Sequence, residues 1–227
     1  MRITSQKWIK RRKHALSGTF GGSRAQRWVR LFFGLMLAGL GIGLQHEALL
    51  GTSPMSTLCN GFARQVGVEN GQAQIIWNLI LVLPCLIWNR ERLGWGTLCC
   101  IVFIGSFCDL SVFAFHLHRM NQWRLSVRFL FSLIGIIVQA AGLSLYVSTN
   151  MGLGGVEGFA SLVQKKTGWC WRKAKTLVDG VLLFVGIAFG GAYGVGTVCA
   201  TALNGTLMQY FLKRLGHGQN RRKRTSS

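Results

Sequence analysis

The chain has 227 residues, half of them hydrophobic, with 26 Lys and Arg against 6 Asp and Glu, a formal charge of +20. The charges are segregated: 31–45, 70–89, 129–156 and 180–212 contain no Asp, Glu, Lys or Arg at all. A soluble core helix carries a polar stripe every third or fourth position, so this pattern argues for a membrane protein, with the basic excess lying beside anionic lipid headgroups rather than on nucleic acid.

In chain order, Met1–Arg30 holds nine Lys and Arg and is too long and too basic for a cleavable leader. The first apolar run lacks a small-x-small cleavage site and is expected to be retained. A helix needs about 20 mostly apolar residues to cross a bilayer. Six runs fit, at 29–49, 72–89, 95–116, 128–149, 174–191 and 196–213.

The runs are organised by an internal repeat. At a constant offset of 101, Arg27 falls on Arg128, Gly34 on Gly135, Gly41 on Gly142, Gly51 on Gly152 and Gly67 on Gly168. After a one-residue deletion, Gly94-Trp95-Gly96-Thr97 falls on Gly194-Val195-Gly196-Thr197, and Gly105 on Gly205. The expected organisation is a basic tail (1–27), a first repeat (28–126), a second repeat (127–213) and a second basic tail (214–227). Three crossings per unit is an odd number, so the second unit enters the bilayer from the opposite side. Loop charge agrees. The loop after the first span holds only Arg64, whereas its counterpart holds Lys165, Lys166, Arg172, Lys173 and Lys175; Arg90 and Arg92 follow the second span, and no charge follows the fifth. Arg119 and Arg124, after the third span, are the exceptions. The fold expected is an all-α integral membrane protein with six transmembrane helices as two inverted three-helix repeats. Both termini then lie in the cytoplasm.

Between the first two spans of each unit lies a short amphipathic segment. Met55, Leu58, Phe62 and Val66 recur at helical steps, as do Val156, Phe159 and Val163 in the second unit. Each segment is either an interfacial helix or a re-entrant half-helix whose free amides and positive dipole end face a central cavity.

Ionisable residues inside spans carry the functional hypothesis. Asp109 and Asp179 are the clear cases; their repeat equivalents are Gln209 and Asn78. On this topology Asn78 and Asp109 share one half of the bilayer, and Asp179 and Gln209 the other. Lys175, four residues before Asp179, can instead simply neutralise it. Glu157 opens the second short helix, where a carboxylate complements the dipole. His46 and Glu47 are read as interfacial. The seven cysteines have no CxxC spacing, and His116-x-His118 lacks further ligands, so neither metal nor cofactor is expected. The GxGT turns are too short for a phosphate loop, and Gly34, Gly39, Gly41, Gly43, Gly135 and Gly142 give small faces for close helix packing. Without GxSxG, HExxH or paired carboxylates, no enzyme is expected.

Leu50-Gly51-Thr52-Ser53-Pro54, the helix to Val66-Gly67, and Leu93-Gly94-Trp95-Gly96-Thr97 with Gly105 and Asp109 resemble the YczE/YitT-type bacterial membrane proteins. Leu145-Tyr146, Gly152-Leu153-Gly154, Glu157-Gly158, Thr167-Gly168, Lys175-x-x-x-Asp179 and Gly194–Thr197 resemble that family's second half. The resemblance, over about residues 27–213, implies a polytopic cytoplasmic-membrane protein suspected of transport. It also adds Ser56 as a candidate, which stands where a carboxylate is common, while Val156-Glu157 stands where Arg-Asp is common. Two functions follow as expectations. One is a small transporter or substrate-binding membrane component for a small molecule or ion. The other is a membrane accessory that organises a cytoplasmic partner.

Overall fold

The computed structural model describes residues 23–116 and 123–224; His118, Arg119 and most of the N-terminal basic tail lie outside them. All regular structure among the described residues is helical. In order, the elements are α1 (Arg24–Ala48), α2 (Pro54–Val66), α3 (Asn70–Trp88), a 3-10 turn (Arg90–Arg92), α4 (Trp95–His116), α5 (Leu125–Ser148), α6 (Gly155–Thr167), α7 (Trp171–Ala188) and α8 (Val195–Arg224).

By length and hydropathy, four segments suffice to cross a membrane: Arg24–Ala48, Asn70–Trp88, Trp95–Ala114 and Leu125–Ser148. The other two expected spans fall short for visible reasons. Helix α7 opens with Arg172, Lys173 and Lys175 and carries Asp179, and α8 contains Asn204 and Gln209 and runs on into the basic tail.

The short helices begin and end where their sequences dictate. In α2, Ser53 is the N-cap, its hydroxyl accepting from the Ser56 amide at 3.4 Å, and Pro54 occupies the first turn, where no N–H is needed. Both α2 and α6 stop at a left-handed glycine in equivalent positions, Gly67 (φ 78°) and Gly168 (φ 72°).

The 101-residue offset reappears as reciprocal contacts. On α1, Gly34 abuts Gly142 and Tyr146 of α5, and Gly41 abuts Gly135 and Gln139, so the two helices run antiparallel. A Cβ on Gly41 would stand 2.6 Å from the Gly135 carbonyl, and one on Gly142 would stand 2.6 Å from that of Gly34. Gly39 and Gly43 face a different neighbour, packing on Phe107 and Ser111 of α4.

The ends are tied in the same paired fashion. Arg27 Nη2 donates to Thr149 O at 2.7 Å, and Arg128 Nε donates to Ala48 O at 2.8 Å. Each arginine thereby satisfies a carbonyl at the C-terminus of the opposite unit's helix, which has no intrahelical donor. The Gly96 amide donates to Met151 O and the Gly196 amide to Leu50 O, both at 2.8 Å. The GxGT glycines are therefore required less for turning than for admitting a crossing chain. Meanwhile the threonine of each motif accepts from the first glycine's amide, at 3.2 Å for Thr97 and 3.3 Å for Thr197.

The short helices pack across the units. Helix α6 lies along α3: the Gly155 amide donates to Asn78 Oδ1 at 3.2 Å, Gly158 faces Cys85, and Asn89 Nδ2 donates to Ser161 Oγ at 3.3 Å. Helix α2 lies along α7 in the equivalent way, Leu58 against Gly186 and Gly61 against Gly191. Asn78 is the ninth residue of the nineteen in α3, so α6 starts half-way along that helix and runs toward its C-terminal end. The N-terminal turns of both short helices are buried among their neighbours.

Candidate functional site

Helix α6 opens beside a cluster of buried polar groups. Lys175 Nζ donates to Asp179 Oδ1 at 2.7 Å and stands 3.7 Å from Glu157 Oε1. All three side chains are 6% exposed or less. Their positions follow from local structure. Lys175 and Asp179 are one helical turn apart on the inward face of α7, and Glu157 is in the first turn of α6, whose N-cap is Gly154.

Tyr146, fully buried on α5, completes the cluster: its hydroxyl accepts from the Gly154 amide at 2.6 Å and donates to Glu157 Oε2 at 3.4 Å. Sequence reasoning did not assign Tyr146 a role; it entered only as part of Leu145-Tyr146 in the family resemblance, among the neighbouring hydroxyls of Ser144, Ser148 and Thr149. The cluster holds two carboxylates and one ammonium, and Asp179 Oδ2 is buried without a hydrogen-bond partner. An unpaired buried anionic oxygen is costly unless a proton or cation meets it.

The equivalent place in the first unit holds Ser56, Gln74 and Asn78, all buried. Ser56 Oγ lies 3.0 Å from Ser53 Oγ within the cap, and Asn78, besides accepting from Gly155, donates to Gln74 O at 2.9 Å. One unit thus presents neutral amides and a hydroxyl where the other presents ions.

Asp109 and Gln209 are not drawn into either set. Asp109 is exposed on α4 beside Gly71, at the start of α3. Gln209 Oε1 accepts from the Arg172 amide at 3.2 Å, at the start of α7. Gly71 and Arg172 are repeat equivalents, so the two residues occupy matching places near the helix ends. Both are about seven residues, or roughly 10 Å along the axis, from Asn78 and Asp179. Asp109 is thus set apart from Asn78, and Gln209 from Asp179, by about two helical turns. Asp109 instead lines an open cavity of about 710 Å³ with His46, Asn60, Arg64, Glu69 and Tyr193. No group of three or more His, Cys, Asp or Glu suited to a metal ion occurs among the described residues.

The chain is similar to "Uncharacterized membrane protein YczE" of Bacillus subtilis (strain 168), 29% identical over 187 residues, covering 82% of this chain and 85% of that one. It is also similar to an uncharacterised protein of Haemophilus influenzae, 29% identical over 192 residues with 82% and 85% covered. "Uncharacterized protein YyaS" of Bacillus subtilis (strain 168) is 25% identical over 179 residues, with 79% and 89% covered. No solved structure matches. The resemblance to YczE-type proteins therefore holds over most of the chain, and the protein is a membrane protein. Residues 25–213 match the family described as "Family of unknown function (DUF6198)", to which this chain belongs.

Proposed function

We propose that the protein is a small transporter, or the substrate-binding component of one, with six crossings arranged as two inverted units in the bacterial inner membrane and both termini in the cytoplasm. The reciprocal antiparallel contacts of α1 and α5 support the inversion, since repeats of this kind commonly form a site at their interface near the bilayer midplane. Helices α2 and α6 are then re-entrant, entering to half-depth with their N-termini inward. The cavity beside Asp109 is the outer vestibule. No reaction is assigned.

The observation that carries this reading is the Glu157–Lys175–Asp179 cluster at the start of α6. Ionisable groups at mid-membrane are costly and mark ion or substrate pathways. The first unit builds the same place from neutral residues, so the fold itself does not demand ions there. With one charge in excess and Asp179 Oδ2 unpartnered, the site suits a proton or a small cation.

The test is metabolite profiling of three strains: a deletion, the wild type, and an Asp179→Asn variant with membrane abundance measured alongside. A carrier requires the Asp179→Asn strain to resemble the deletion at normal protein abundance. An accessory that docks a cytoplasmic partner through its basic tails tolerates Asp179→Asn and fails when the tails are trimmed; that outcome refutes the carrier reading.

A further inference from the structure

On the outer surface of α7 and α8, away from the ionic cluster, runs an open groove of about 770 Å³. One end is cationic and aromatic, formed by Trp169, Arg172 and Lys173; the rest is apolar, with Leu177, Val181 and Phe184 among its walls. Phe184 is 76% exposed and Val181 55% exposed, so no helix among the described residues covers them. From Arg172 to Phe184 the groove extends about 18 Å at 1.5 Å per residue, close to the depth of one leaflet of a hydrocarbon core about 30 Å thick.

The first unit serves as an internal control. Its α3–α4 surface stands in the same relation to the fold, yet larger side chains occupy it. Thr176, Gly180 and Ala202 in the second unit correspond to Ile75, Leu79 and Val102. Gly180 leaves the floor open: a Cβ there would meet nothing within 4 Å. The charges differ in the same sense. Arg172 and Lys173 correspond to Gly71 and Gln72, and the Asp109 carboxylate lies beside Gly71 where Gln209 lies beside Arg172. The second unit has both cleared a slot and placed two cations at its mouth; the first has done neither.

We infer that this groove is a binding site for one phospholipid with an anionic headgroup. The phosphate and headgroup charge meet Arg172 and Lys173, Trp169 sits at the headgroup level, and an acyl chain lies over Gly180 between Val181 and Phe184. The occupant is a membrane lipid because the groove combines leaflet depth, an apolar wall and positive charge at one end only. The inference needs only that the protein lies in a membrane, and is independent of whether it transports.

The full chain is tested after purification in mild detergent, by native mass spectrometry with phosphatidylglycerol or phosphatidylcholine of identical acyl chains. Each cation near a membrane surface adds about 1 kcal/mol toward anionic lipid, so two give a preference of about 30-fold for phosphatidylglycerol. Arg172→Gln with Lys173→Gln should remove most of that preference, whereas Arg90→Gln with Arg92→Gln, equal in charge but outside the groove, should keep it. Gly180→Leu, which installs the residue of the first unit, should lower retention of both lipids; Gly180→Ala serves if the leucine variant fails to fold. Equal retention of the two lipids by the wild type overturns the inference. So does a stable dimer that cross-links through position 180, since a second copy then fills the slot.

Discussion

Replacing Lys175 by Met removes the cation that Glu157 and Asp179 share. The ammonium lies 2.7 Å from one carboxylate and 3.7 Å from the other, and all three side chains are nearly fully enclosed. Breaking a buried pair by deleting one partner costs about 3–5 kcal/mol, because the remaining charge stays desolvated. For a chain of this size each kcal/mol corresponds to about 2–4 °C in Tm, so Lys175→Met should lower Tm by roughly 6–20 °C. The triple variant Glu157→Ser, Lys175→Gln, Asp179→Asn writes the Ser56–Gln74–Asn78 set into the second unit. It should lie within about 2 kcal/mol of wild type, since exchanging a whole buried ionic group for a compatible uncharged one is often neutral. Asp179→Asn combined with Lys175→Met should recover part of the loss, with a coupling energy of about 1–3 kcal/mol. Thermal unfolding in detergent, followed by tryptophan fluorescence, reads the wild type, the single variants Lys175→Met and Asp179→Asn, the double variant and the triple variant. If the triple variant loses as much as Lys175→Met, or Lys175→Met loses nothing, the three residues do not act as one buried unit.

Arg128→Gln should cost about 1.5–3 kcal/mol, the range for hydrogen bonds to a charged donor, because Arg128 holds the carbonyls of Ala48 and Leu49; Arg27→Gln should do the same at Thr149, and Tm in detergent checks both. Gly142→Leu should separate α1 from α5 and abolish the folded, monodisperse peak in size-exclusion chromatography, since even a Cβ there would stand 2.6 Å from the Gly34 carbonyl. Topology is checked with Val66→Cys and Thr167→Cys, repeat-equivalent and exposed sites at the ends of α2 and α6, in a cysteine-free background; native Cys59 is unsuitable because it is buried. An impermeant thiol reagent should reach position 66 in intact cells and position 167 only after permeabilisation, and labelling of both from one side contradicts the inverted arrangement.

The helical class, both short helices and the small faces for close packing were legible because the chain states them twice. Glycines at 34, 41, 135 and 142 recur at one offset, and a feature written twice stands out from composition. Contacts between elements were less legible. Lys175 with Asp179 follows from helical spacing, but Glu157 with Lys175 depends on how α6 meets α7, and Tyr146 reaches Glu157 only because the chain turns back at Gly152–Gly155. Equally hidden was the packing of each short helix on the second helix of the opposite unit. Periodicity marks an apolar face without saying what it covers. Also hidden was that Asp109, on α4, lies beside Gly71 at the start of α3, whereas Asn78 is at that helix's middle.

The exchange of amides and arginines between the halves has a consequence for assembly. When α1 to α4 have been synthesised, the carbonyls at 48 and 49 still lack Arg128, and the amide of Gly96 still lacks its acceptor at Met151. Neither half therefore matures alone. The early portion must wait, incompletely bonded, until the later portion arrives from the ribosome, and a truncation near residue 120 leaves an orphan for quality control rather than a smaller working protein.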